Sequence, residues 1–136
     1  MCLAMYLFTN EELPESKWSE EHPGVWIQAA KEGDDRGALK WPHEQKRVYY
    51  IGSYQGCGCG WSPANEWDEP EDMHNKQEDR DAFAELMMSI NRTASWLVVC
   101  WEGDQGEPLL ESKVISIQDI RNVHFEFEEL RKYEFA

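Results

Sequence analysis

The sequence predicts a single α+β domain over residues 1–136, with a mainly antiparallel β-sheet and one principal helix packed on a face. Three observations predict it. Trp96-Leu97-Val98-Val99-Cys100-Trp101 is apolar at both alternating sets of positions, as a central strand requires. Phe83, Leu86, Met87 and Ile90 follow the i, i+3, i+4, i+7 spacing of one helix face. The other β-rich runs are of strand length and alternate with polar, turn-rich segments.

Taken in order, Cys2 to Phe8 is a continuous apolar run and predicts a strand over 2–8, buried on both faces. Residues 9–24 hold Leu13-Pro14 and His22-Pro23-Gly24 and read as irregular. Val25 to Ala29 predicts a short strand, and Glu32 to Gly37 a solvated loop. Arg47 to Tyr54 is rich in β-formers and predicts a strand over 47–54. Residues 65–81 carry eight carboxylates (Glu66, Asp68, Glu69, Glu71, Asp72, Glu78, Asp79, Asp81) against Lys76 and Arg80. The second half of this tract leads into a helix predicted near 76–92, its acidic start and Arg92 near its end complementing the helix dipole. A strand over 95–102 follows, then a turn at Glu102 to Pro108 and a strand over 112–117, antiparallel to its predecessor if the connection is a hairpin. Asp119 to Asn122 predicts a short turn, and the alternation of Val123, Phe125 and Phe127 with His124, Glu126 and Glu128 a last strand over 123–129.

A chain of 136 residues is long enough for a core without disulfides. The 27 acidic residues against 13 basic ones, a formal charge of −14, repel a phosphate backbone, so no nucleic-acid partner is expected. The same charge favours a basic protein as partner, as for an immunity-type neutralising protein, although solubility alone also explains it. The apolar stretch from Met1 to Phe8 is too short for a membrane span or a signal-peptide core, which leaves a cytoplasmic protein with reduced thiols as the expectation.

The segment with the clearest chemistry is Gly56-Cys57-Gly58-Cys59-Gly60. Two thiols one residue apart on a pliable backbone can turn toward one target. As metal ligands, Cys57 and Cys59 suit zinc or another thiophilic ion but supply half of a tetrahedral site, which Cys2 and Cys100 would complete only if the fold brings them adjacent. As a redox pair they would close a tight, easily reduced ring, and as nucleophiles they would need a nearby cation or histidine. A glycine-rich packing turn is the plain alternative. The loop thiols are expected to be the accessible ones, Cys100 to lie in the core and Cys2 to fall between. Loss of Met1 would give Cys2 an α-amine beside its thiol, as in glutamine amidotransferases, but the chain is much shorter than their catalytic domains and lacks their continuation.

Other patterns carry less. Gly52, Gly56, Gly58 and Gly60 do not open into a helix as a phosphate loop does, because Trp61-Ser62-Pro63 follows. His124, Glu126 and Glu128 would share a strand face, where a solvated row explains them as well as a divalent ion. The acidic tract lacks the order of an EF-hand loop.

Met1-Cys2-Leu3-Ala4, Tyr49-Tyr50-Ile51-Gly52-Ser53 with the glycine-cysteine segment, and Cys100-Trp101-Glu102-Gly103-Asp104 together resemble a group of small uncharacterised bacterial proteins. The resemblance spans most of the chain and implies a free-standing bacterial protein, with no activity, cofactor or partner to carry over. The expectation is therefore a small acidic binding or accessory protein, rather than an enzyme, with its site at the glycine-cysteine loop and zinc as the ion. The alternative is a small thiol enzyme or redox protein using Cys57 or Cys59.

Overall fold

The computed structural model describes residues 2–136; the reading of Cys2 as a processed terminus depends on Met1 and lies outside them. Six strands form one mixed sheet: β1 (Leu3–Thr9), β2 (Trp26–Ala29), β3 (Arg47–Gly52), β4 (Trp96–Trp101), β5 (Leu110–Ile115) and β6 (Arg131–Phe135), in the spatial order β2-β3-β1-β4-β6-β5. All pairs are antiparallel except β5 with β6. The helices are α1 (Arg36–Leu39), α2 (Pro70–Met88) and α3 (Ile117–Arg121), with 3-10 turns at Gly58–Trp61 and Arg92–Ala94. No helix among the described residues is long and apolar enough to cross a membrane.

The apolar run at the start of the chain becomes the middle of the sheet. β1 pairs with β3 on one side and β4 on the other, and every residue from Ala4 to Thr9 is buried. Met5 and Leu7 face a core closed by α2, α3 and Trp61, containing Phe83, Met87, Leu97, Val99 and Ile120. Ala4, Tyr6 and Phe8 face the opposite core with Ala38, Trp41, Tyr50, Val98 and Cys100. Phe8 stacks on Trp96 with centroids 3.9 Å apart, and Tyr6 meets Tyr50 edge-on at 5.6 Å. Both alternating sets are therefore core positions, which explains the absence of a polar face in this strand.

The two sheet edges are protected differently. On β2, the Ser16 N–H donates to the Ile27 carbonyl, the Ser16 hydroxyl accepts from Ile27 N–H, and Glu15 accepts from Ala29 N–H. β5 leaves Leu110 and Val114 exposed, but it is irregular in register and carries Glu111 and Lys113, features that discourage pairing with another chain.

Several predicted elements need correction. The principal helix begins at Pro70, six residues before the predicted start, and ends at Met88. Proline suits the first helical position, where its missing N–H has no partner to lose, and Glu71 and Asp72 follow in the first turn. Phe83 and Met87 are fully buried as expected, whereas Leu86 is half-buried and Ile90 lies beyond the helix end. The segment expected as a turn at 119–122 is largely helix α3, opened by a capping box between Ser116 and Asp119. β5 does not return beside β4 as a hairpin. β6 comes between them, and β5 runs parallel to β6 with α3 in the crossover.

The expected strand 123–129 is irregular. Val123 and Phe127 point inward as its alternation suggested, but the carbonyls around them turn to Arg80 rather than to a neighbouring strand. The final strand begins only after Leu130, which turns the corner at φ +60, a conformation few non-glycine residues adopt. Three charged members of the acidic tract are also buried: Lys76, Asp79 and Arg80, at 4%, 2% and 0% exposure. The Arg80 guanidinium donates to the carbonyls of Trp61 (3.0 Å), Ile120 (3.3 Å), Asn122 (3.1 Å) and Phe125 (2.7 Å), and lies 4.7 Å from the centroid of the Phe127 ring. Burial lowers its pKa to about 10, so it remains charged at neutral pH.

Removing this guanidinium while keeping the stem, as in Arg80→Met, would leave four inward carbonyls without their donor. We expect a loss on the order of 3–5 kcal/mol in urea unfolding, comparable with Phe83→Ala. The half-buried Leu86→Ala should lose less than Phe83→Ala. Equal costs for Arg80→Met and a surface change such as Glu78→Ala would show that the cage contributes nothing.

Candidate thiol cluster

The glycine-cysteine segment is a compact turn at the end of the sheet where β1 begins and β3 and β4 finish. Ser53, fully buried just after β3, organises it. Its hydroxyl donates to the Cys57 carbonyl (2.6 Å) and accepts from the N–H groups of Gly60 (3.0 Å) and Gln55 (3.3 Å). Its own N–H also donates to the Cys57 carbonyl at 2.8 Å. Gly56 takes a positive φ of +83, which favours glycine, and the Trp18 indole lies against it. Cys57 then caps the 3-10 turn, its sulfur accepting the Cys59 N–H at 3.4 Å.

Three anchors fix the turn to the rest of the molecule. Trp61 is buried and donates its indole N–H to the Ile51 carbonyl at 2.9 Å. Arg80 takes the Trp61 carbonyl, and the neighbouring Asp79 accepts the Tyr54 N–H at 2.8 Å. Two consecutive residues of α2 therefore hold the start and the end of the loop.

Gly58 brings the loop against β1. A Cβ there would lie 2.5 Å from the Leu3 carbonyl oxygen and 2.8 Å from its carbon, both backbone atoms. Only a residue without a side chain allows this approach. Cys2 immediately precedes β1, and its carbonyl accepts the Glu102 N–H at 2.7 Å. As a result the sulfurs of Cys2, Cys57 and Cys59 all lie within 4.8 Å of one another.

The cluster contains both thiols singled out from the sequence and one of the two conditional ones. Cys100 is not part of it. It pairs with Ala4 across the sheet, is fully buried in the opposite core, and burial pushes its thiol up to about 12. The expected order of access also changes. Cys2 is the exposed thiol, while Cys57 and Cys59 are half-buried because the loop folds back onto β1. Burial pushes the Cys57 thiol up to about 12, the Cys59 N–H offsetting part of the effect. His124, Glu126 and Glu128 share no strand face and form no common site; Glu128 instead pairs with Arg131 and Lys113.

Beside the cluster is a cleft of about 180 Å³ lined by Trp26, Gln28, Lys31, Asp34, Asp35, Tyr50 and Glu102. Tyr50 lines this cleft, and burial raises the pKa of its phenol. At the cleft's edge the Tyr6 hydroxyl donates to Asp35 at 2.7 Å and accepts from Gln105 at 3.1 Å, and Gln105 also donates to Glu102 at 2.7 Å. Compared with protein-family models, curated proteins and solved structures, the chain matches none of them.

Asp79 provides a test of the anchor. Burial raises its pKa from the ordinary 3.8 to about 6, the Tyr54 N–H offsetting part of the rise. Because the folded value lies above the unfolded one, its contribution to stability is greatest below about pH 4 and is lost as pH rises through 6. Asp79→Asn keeps an oxygen for Tyr54 and removes the ionisation. The variant should match the wild type near pH 4 and exceed it by roughly 3 kcal/mol near pH 7. A difference that does not change with pH would exclude a buried ionising carboxyl.

Proposed function

We propose that the protein binds a thiophilic metal ion through Cys2, Cys57 and Cys59. The observation that supports this is the meeting of three sulfurs, from chain segments 55 residues apart or more, within 4.8 Å. Thiolate is the donor that zinc and other soft ions take in preference to oxygen. Around zinc, three protein sulfurs leave a fourth position for an outside ligand. The ion would join the start of β1 to the turn after β3, and ligand present at a hundredfold its dissociation constant would add about 2.7 kcal/mol of stability. This role is that of a binding or accessory protein, and it gives a reason for the close approach at Gly58.

Protein purified without chelator should carry close to one zinc per chain by elemental analysis. Replacing Cys57 and Cys59 together with serine should abolish this, since hydroxyls are much poorer ligands. Serine at 57 can still cap the 3-10 turn, so loss of the ion would not reflect loss of the turn. Cys100→Ala should retain the ion. Gly58→Ala should weaken binding by pushing the loop off the Leu3 backbone. A folded wild type whose three thiols stay fully titratable in excess zinc and in excess of other thiophilic ions would overturn the proposal.

A further inference from the structure

We infer that this cluster is suited to trivalent arsenic, taken up as arsenite, in preference to zinc; the inference rests on the thiophilic-ion reading above and names the ion class. The first argument is the donor count. Among the described residues, no fourth thiol, imidazole or carboxylate joins Cys2, Cys57 and Cys59. Structural zinc is held by four ligands. Trivalent arsenic keeps a lone pair and is complete with three sulfurs, so the set provided by the fold satisfies it without an outside ligand.

The second argument is charge. Three thiolates give a neutral complex with trivalent arsenic, one negative charge with zinc and two with monovalent copper. The surroundings disfavour an added negative charge. The chain carries −14, and Glu102 is bonded through its N–H to the Cys2 carbonyl. Among the described hydrogen bonds and ion pairs, none brings a lysine, arginine or histidine side chain to the three thiols. Cys57 and Cys59 are half-buried, where an uncompensated charge is costly. A neutral tris-thiolate avoids that cost. The exposed Cys2 gives an incoming ion its first point of attachment.

The uptake is a ligand exchange without electron transfer. Arsenite enters as the neutral trihydroxide. Three arsenic–oxygen bonds break and three arsenic–sulfur bonds form, and each thiol proton leaves with a hydroxyl as water. Arsenic remains trivalent throughout.

The test is titration of the reduced, full-length protein with sodium arsenite, followed by native mass spectrometry and by alkylation of the remaining thiols. The expected result is one arsenic per chain, with Cys2, Cys57 and Cys59 all protected and the arsenic retained against equimolar zinc chloride. Cys2→Ser should raise the dissociation constant by about a hundredfold, the scale on which loss of one intramolecular arm is felt. Cys100→Ala should leave binding unchanged. Displacement of arsenic by equimolar zinc would overturn the inference and leave the ion-binding reading intact. Unchanged arsenite affinity in Cys2→Ser would also overturn it, because only two sulfurs would then be engaged. Failure of both arsenite and zinc to protect the thiols would overturn both readings.

Discussion

A single guanidinium ties the parts of this molecule together. Arg80 reaches from the middle of α2 into the core and gathers carbonyls from the cysteine-bearing turn, the end of α3 and the irregular segment that leads into β6. None of these segments is satisfied by a strand ladder there, and each would otherwise present unpaired backbone to a dry interior. A buried arginine usually needs a carboxylate partner. Here the partner is a ring of backbone dipoles together with the face of Phe127, so the cation depends on the chain path as much as the path depends on the cation.

The adjacent Asp79 and Arg80 explain how a glycine-rich loop keeps a defined shape. Asp79 holds the backbone at Tyr54, Arg80 holds it at Trp61, and Ser53 binds across the interior of the turn. The pliability that glycine gives is thereby used up at particular points: a left-handed corner at Gly56 and a close approach at Gly58. Lys76, one turn earlier on α2, fixes the loop before the helix through Pro63 and Asp68, and its ammonium holds the Asp68 carboxyl below the usual range. The acidic tract is therefore a mixture of solvated carboxylates and buried anchors.

Those anchors were the part of the sequence hardest to read. The central strands β1 and β4 were legible because burial on both faces leaves no polar position, and α2 was legible through Phe83 and Met87. Pro70 marked the start of the helix but was overshadowed by the surrounding carboxylates. Val123, Phe125 and Phe127 alternate as a strand would, but the Phe125 carbonyl is taken by an arginine 45 residues away and the segment is irregular. The parallel pairing of β5 with β6 is set by α3 turning the chain, which hydrophobic alternation cannot report. Within the site, the spacing of Cys57 and Cys59 marked the loop. Cys2 carried no local sign of its role, because its place beside them follows from the order of strands in the sheet.

That order also affects how the chain is made. β1 leaves the ribosome well before its partners, one of which starts at Arg47 and the other at Trp96. At translation rates of about 5–20 residues per second, its most apolar segment waits on the order of five to twenty seconds before β4 can flank it. Throughout that interval the nascent chain carries a sticky, unpaired ribbon, and pairings this distant in sequence form slowly once they become available. Overproduction of the protein would therefore be limited by chaperone capture of the unpaired β1 segment more than by the stability of the finished sheet.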